Sequence, residues 1–333
     1  MSFNVAIVGA TGAVGQEFLT VLAERQFPIK NLLLLASARS AGKKIEFGGK
    51  SHTVQELTKD SLKGVQIAFF SAGGSISREF APAAVSAGAI VIDNTSAFRM
   101  KQGIPLVVPE VNPDQIHKHN GLIANPNCST IIMNVPVWPL HKANRVRRII
   151  VSTYQAVSGA GAAGLRELEQ QIKAYAAGSK IERQLFPHQI VHNLFSHNTK
   201  IAENGYNEEE NKMVNETRKI FGDERIMITA TCVRVPIPRA HSESINLEFE
   251  RPITPQEVRQ ILAKAPGVKI VDDRESNHFP MPIEASGQDD VLVGRIRQDI
   301  SREDGRGIDL FVAGDQVRKG AATNAVQIAE KLG

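Results

Sequence analysis

The chain has 333 residues, too long for one small core and suited to two domains. It is 42% hydrophobic and carries a formal net charge of +4 with no long basic stripe; this suits anionic small ligands and gives no ground for disorder or nucleic-acid binding. Two cysteines, Cys128 and Cys232, are too few for a secreted disulfide framework, and the longest apolar runs, such as residues 32–36 and 67–72, fall far short of the ~20 residues of a membrane span.

No basic stretch followed by a long apolar one opens the chain, so the cytoplasm is the expected compartment. Residues 4–9 read as a strand, 13–25 as a helix and 31–36 as a second strand. Residues 43–54 read as a hairpin turning at Gly48-Gly49. Residues 65–72 form a strand, 75–87 a helix, 89–93 a strand and 122–125 another. Apolar strands alternating with helices call for a parallel sheet covered on both faces, hence an α/β Rossmann-like domain. From about residue 147 the pattern changes. Strands are expected over 148–157, 225–235, 244–249, 291–297 and 308–313, with helices over 164–177, 208–221 and 255–263. Strict alternation is lost, so the second domain is expected to be α+β with a mixed sheet. Residues 180–203 carry no readable period. Residues 317–332 read as one helix whose Ala-rich face returns to the first domain. The expected division is 1–128 with 316–333, and 129–315.

Three segments carry chemistry. Gly9-Ala10-Thr11-Gly12-Ala13-Val14-Gly15 follows the first strand and opens the first helix, a variant dinucleotide fingerprint in which backbone and helix N-terminus receive a pyrophosphate. The second strand runs into Ser37-Ala38-Arg39-Ser40, with no acid to hold a ribose 2′-hydroxyl; Arg39 and the hydroxyls favour a 2′-phosphate, so NADP is the expected cofactor. Pro126-Asn127-Cys128-Ser129-Thr130 places a thiol at a helix N-terminus, where the dipole favours the thiolate and the N–H groups can receive an oxyanion. Arg234 sits in a strand with Cys232, which is expected to be core. His241 follows the irregular stretch 236–238.

With those motifs in order, the chain resembles the aspartate-β-semialdehyde dehydrogenases over essentially its whole length. The matching segments are GATGAVG at Gly9, SAGGS at Ser71, DNTSAFRM at Asp93, VPEVN at Pro109, NPNCST at Asn125, QAVSGAG at Gln155, EEENK at Glu208, CVRVP with HS after Cys232, and GDQVRKGAA near the end. The resemblance implies that Cys128 is an acyl-thioester nucleophile, His241 the general acid/base, and Gln155 a substrate-orienting residue. It implies phosphate on Arg99 and Lys212 and an α-carboxylate on Arg234. It also implies Ser158, Gly159 and Gln316 at the edge of the cofactor, and a homodimer or homotetramer formed through the second domain. The implied reaction is NADPH-dependent, reversible reduction of L-aspartyl-4-phosphate to L-aspartate-4-semialdehyde, which feeds lysine, diaminopimelate, methionine and threonine synthesis. A free α-amine needs a carboxylate partner, and Glu209, three residues before Lys212, is the candidate; Glu208 and Glu210 are expected on a solvated charged face.

Three rival readings remain at this level. One is an N-acetyl-γ-glutamyl-phosphate reductase, which shares the fold and the thiol chemistry. Another is a non-catalytic NADP-binding homologue. The third is a metal site on His188, His192 and His197, weakened by Pro187. No metal, membrane or nucleic-acid partner is expected.

Overall fold

A computed structural model describes residues 2–332. They form two compact units, one running to Asn127 and resuming at Ala321, the other Cys128–Gly320.

The first unit opens with β1 (Phe3–Val8), α1 (Ala13–Glu24) and β2 (Ile29–Ala36). β3 (Lys44–Phe47) and β4 (Lys50–Thr53) make the hairpin that the glycine pair signals, followed by the short β5 (Gln55–Glu56). β6 (Ile67–Phe70), α2 (Gly74–Ser86), β7 (Ile90–Asp93) and β8 (Leu122–Ala124) complete the sheet. Its order is β5-β2-β1-β6-β7-β8 and every pairing is parallel. Val5, Ile7, Ile67 and Phe69 pack into one core with Phe18 and Leu22 of α1. Ala6, Val8, Ala68 and Phe70 point the other way, toward Ala81 and Ala84 of α2. Burial on both faces is why these strands read as unbroken apolar runs. The strand succession reverses between β1 and β6, the place where open α/β sheets bind ligands at their carboxyl ends.

The second unit begins with α3 (Cys128–Ala143), β9 (Val146–Gln155), α4 (Gly161–Ala176) and the two-residue β10 (Phe195–Ser196). α5 (Glu208–Phe221), β11 (Met227–Arg234), β12 (His241–Phe249) and α6 (Pro255–Leu262) follow. β13 (Val268–Ile270), α7 (Pro282–Ala285), β14 (Val291–Gln298) and β15 (Gly307–Gly314) end it. Its sheet runs β10-β11-β9-β12-β15-β14-β13 and is mixed: β9 and β11 are parallel, as are β13 and β14, and the other pairs are antiparallel. Period-2 alternation divides the strands between two faces. Ile149, Val151, Thr153 and Gln155 of β9 are buried, whereas Tyr154 is 38% exposed. Helices α3, α5 and α6 pack on the buried face. One rung of that face runs Cys232–Thr153–Glu243, and the next toward the strand ends pairs Arg234 with Gln155.

Two expectations need correction. β12 starts at His241, not at residue 244, because Ser242 and Glu243 already pair with Tyr154 and Thr153 after the irregular stretch ends. The C-terminal segment is not one regular helix. Asp315, fully buried, accepts from the backbone N–H of Val317 (2.9 Å) and Arg318 (3.1 Å) and from Gly287 N–H and Arg239 Nε (both 2.7 Å). Gly320 N–H then bonds back five residues to the Asp315 carbonyl at 3.0 Å, which opens a wide π turn over Arg318–Ala322 before α8 (Thr323–Glu330). α8 joins the first unit, where Ala325, Val326, Ile328 and Ala329 enter the core beside α1.

Candidate active site

In the first unit, Gly9 leaves β1 with φ +92°, and a Cβ there would lie 2.6 Å from the carbonyl oxygen of Ser71, just past β6. Only glycine lets the two strand ends approach so closely. Gly12 is the N-cap of α1 and supplies no side chain to its first-turn N–H groups; no acid occupies that turn. Ala13 and Val14 follow in the first turn, and Thr11 Oγ1 lies 3.4 Å from Ser40 Oγ. Ala38 and Arg39 lie in a short 3₁₀ turn after β2, both exposed. An exposed guanidinium beside a glycine cradle and an uncapped helix start fits an anionic dinucleotide with a further phosphate. Arg99, also in this unit, is 7% exposed and donates from Nε to Asn125 O and from Nη2 to Asn94 O, both 2.9 Å.

In the second unit, Cys128 is the first residue of α3 and its side chain is partly exposed. His241 is fully buried at the start of β12, and its Nδ1 accepts the Ala156 N–H at 3.0 Å. That bond assigns the imidazole proton to Nε2, which has no hydrogen-bond partner among the described residues. Burial, helped by the Arg234 charge, depresses the His241 pKa to about 3, so the ring is a neutral Nε2–H donor. Ala240, just before it, holds a positive φ of 69°, an unusual conformation for a residue with a Cβ, and its N–H is held by Gln316 Oε1 at 2.8 Å. Gln316 Nε2 donates in turn to Ser158 Oγ.

Gln155 ends β9. Thr153 Oγ1 donates to its Oε1 at 2.9 Å, and its Nε2 donates to Glu209 Oε1 at 3.2 Å, so the amide is fixed at both ends. Glu209 Oε2 pairs with Lys212 Nζ at 3.1 Å, the i,i+3 contact of one helix face. Arg234 ends β11, donating from Nη1 to Ala156 O at 2.5 Å and from Nη2 to His197 Nε2 at 2.7 Å. Burial lowers the Arg234 pKa, while the negative charges of Glu209 and a Cys128 thiolate oppose that shift. A Cβ on Gly159 would meet Arg234 Nη1 at 3.0 Å and His241 Nε2 at 3.5 Å, so its backbone lines the same cluster. Thus Gln155, Glu209, Lys212, Arg234, His241 and Gly159 meet at one end of the buried sheet face. Cys232, on the same face, is fully buried, and desolvation pushes its thiol pKa far up, the signature of a core residue.

Glu210 does not lie on a solvated face. It completes a capping box with Asn207, with 2.9 Å bonds in both directions, and its Oε1 accepts the Cys232 N–H at 3.0 Å, which ties α5 to β11. The Asn207-to-Glu210 spacing is a sequence signal for this role. His197 and Thr199, from the stretch without readable period, reach the cluster and were not expected there. The three histidines of the possible metal site are spread apart in function: His188 stacks edge-on against Phe195, His192 against Tyr175, and His197 bonds Arg234. Among the described residues no group of three or more His, Cys, Asp or Glu is placed to hold a metal ion, and no helix is long and apolar enough to cross a membrane.

Comparison with known proteins gives one consistent answer. Residues 4–119 match the family model "Semialdehyde dehydrogenase, NAD binding domain", and residues 137–319 match "Semialdehyde dehydrogenase, dimerisation domain". The chain is 54% identical over 329 residues to an aspartate-semialdehyde dehydrogenase of Synechocystis sp., covering 99% of this chain and 97% of that one. It is 53% identical over 336 residues to the enzyme of that name from Aquifex aeolicus, covering 100% and 98%. Among solved structures, aspartate semialdehyde dehydrogenase II of Vibrio cholerae, complexed with ASA, superposes with a TM-score of 0.97 at 49% identity, over 100% of this chain and 98% of that one.

Proposed function

The chain belongs to the aspartate-semialdehyde dehydrogenase family, and from that premise we propose that it converts L-aspartyl-4-phosphate to L-aspartate-4-semialdehyde, reversibly, through a thioester on Cys128. The observation that carries the reading is the cluster on the buried sheet face: a neutral histidine donor, a fixed amide, and a guanidinium held at both Nη atoms with its Nε unpartnered among the described residues.

In the reductive direction, the Cys128 thiolate attacks the acyl carbon, and the tetrahedral oxyanion expels phosphate to leave the thioester. A bound nicotinamide dinucleotide supplies hydride to the thioester carbon in this direction and accepts it in the reverse. His241 Nε2–H donates a hydrogen bond to the resulting alkoxide and steadies its charge. The alkoxide then collapses, breaking the C–S bond and freeing the aldehyde and the Cys128 thiolate, with no net proton transfer. Gln155 donates toward the reacting centre from an amide whose carbonyl is already held by Thr153. Arg234 takes the α-carboxylate through its planar fork. Glu209 faces the α-amine, and Lys212 offers charge to phosphate. The resemblance gives Arg99 the same duty toward phosphate. Ser158, Gly159 and Gln316 border the cofactor in this reading.

NADP is favoured over NAD because Arg39 stands after β2 where an NAD enzyme carries an acid. The sheet face that carries Tyr154, Ser244 and Phe311, opposite the packed helices, is the proposed homodimer contact; a tetramer would add a second one. The enzyme is read as cytoplasmic, serving lysine, diaminopimelate, methionine and threonine synthesis.

The test follows NADPH formation from aspartate semialdehyde, phosphate and NADP, omitting each in turn. Turnover must need all three and must vanish in Cys128→Ala but survive in Cys232→Ala. Turnover by Cys128→Ala would refute the thioester route. Equal kcat/KM for N-acetylglutamate semialdehyde would refute the substrate.

A further inference from the structure

His197 lies in the segment without regular structure, just after β10, and is 9% exposed. Its Nε2 sits 2.7 Å from Arg234 Nη2. A guanidinium only donates, so Nε2 must accept, and the ring proton resides on Nδ1. Nδ1 in turn lies 3.3 Å from Thr199 Oγ1, and the same hydroxyl oxygen accepts the backbone N–H of Glu209 at 3.3 Å. A two-residue bridge therefore joins a guanidinium to the N-terminal turn of α5 at Glu209. The bridge works only with a neutral imidazole, and burial beside Arg234 and Lys212 holds the His197 pKa at about 4. With one hydrogen of Nη1 given to Ala156 O and one of Nη2 to His197, Arg234 keeps Nε, unpartnered among the described residues, and its remaining Nη hydrogens for a ligand. The Phe186 ring, 5.9 Å from the guanidinium carbon, limits it on another side.

We propose that His197 is a positioning residue: it fixes the Arg234 guanidinium and, through Thr199, its spacing from Glu209, so that the α-carboxylate and α-amine of an amino-acid aldehyde are recognised as one unit. This rests on the assignment of Arg234 and Glu209 to those two groups. His197 is bonded to Arg234 and to Thr199, the residues that set the proposed carboxylate and amine partners, so its loss acts first on substrate affinity. A residue with only a structural role would give no such selectivity.

The experiment measures kcat and separate KM values for aspartate semialdehyde, phosphate and NADP in His197→Leu, His197→Gln, Arg234→Ala and the His197→Leu/Arg234→Ala double variant. His197→Leu removes an acceptor from a charged donor, and KM for aspartate semialdehyde should rise about ten- to a hundredfold. The KM values for phosphate and NADP, and kcat, should stay near wild type. Glutamine carries an acceptor oxygen close to the Nε2 position, so His197→Gln should recover most of the loss. In the double variant His197→Leu should add nothing to Arg234→Ala, because it acts through that residue. Should His197→Leu fail to fold, His197→Phe, similar in outline and unable to accept, takes its place in the cycle. Additive effects, an equal rise in all three KM values, or no rescue by glutamine would overturn the proposal. An unchanged KM for aspartate semialdehyde in Arg234→Ala would instead refute the underlying assignment of the carboxylate.

Discussion

Gly320 lies directly against Cys128: a Cβ on Gly320 would sit 2.8 Å from the Cys128 Cβ and 3.2 Å from its Cα. The contact is with the rigid stem of the proposed nucleophile at the first residue of α3, so a flexible side-chain end cannot absorb it. Gly320→Ala should push the thiol out of line. A displacement near 1 Å costs on the order of a hundredfold in rate, while overpacking lowers stability by about 1–3 kcal/mol. We expect kcat to fall by that order in a variant that still melts cooperatively. A Gly320→Ala enzyme with wild-type kcat would show that Cys128 tolerates the shift or does not react.

Three consecutive acids at the start of α5 should separate by function. Glu209 meets both Gln155 and Lys212, so Glu209→Gln should raise KM for aspartate semialdehyde. Glu208, an exposed first-turn acid, should change nothing measurable as Glu208→Gln. Glu210→Ala removes a cap and the bond to the Cys232 N–H and should cost roughly 1–3 kcal/mol of stability with KM unchanged. Steady-state kinetics and thermal melts on the three variants check the pattern. A KM effect confined to Glu208 or Glu210 would contradict it.

Arg39→Ala tests cofactor choice. Loss of one charge-assisted hydrogen bond should weaken NADPH by roughly 1.5–3 kcal/mol, about ten- to a hundredfold, and NADH far less. Fluorescence titration with both cofactors measures the ratio. Equal weakening would make Arg39 a bystander.

Glu243 gives a prediction in pH. It is fully buried in the rung beneath His241, neither of its carboxyl oxygens has a partner among the described residues, and desolvation raises its pKa well above 4.5. The folded state therefore keeps a proton that the unfolded chain releases. Its contribution to stability is complete below the unfolded pKa and is lost as pH rises toward the folded value. Glu243→Gln has no proton to lose. The Tm advantage of Glu243→Gln over wild type should grow from pH 5 to pH 8. The same Tm difference at both pH values would mean that Glu243 is ionised in the native protein.

The legible parts of the molecule were those governed by local rules. Period-2 alternation put Thr153 with Gln155 and Cys232 with Arg234 on one face, and α5 is bounded by Asn207 at its start and Gly222 in the left-handed conformation at its end. The thiol at the start of α3 was readable for the same reason. His197 was not, since its position depends on Arg234, thirty-seven residues away, and no periodicity marks its segment. The π turn at Gly320 was hidden inside an Ala-rich run that suits an α-helix equally well; the buried Asp315 carboxylate and carbonyl, in tertiary contact, decide the winding. The Asn207–Glu210 box was present in the sequence and was outweighed by the run of charge around it.

The membership of α8 in the first unit has a consequence during synthesis. The core that Phe18, Leu22 and Ile67 share with Ala325, Val326 and Ala329 is built from both ends of the chain. Those last residues leave the ribosome only after all of Cys128–Gly320, a delay on the order of ten to forty seconds at usual elongation rates. Through that interval the nascent parallel sheet carries α1 but lacks the helix beside it, and the apolar flank that α8 will cover stays open to water. The isolated segment of residues 1–127 should therefore be protease-sensitive, and supplying residues 321–333 as a separate peptide should protect it.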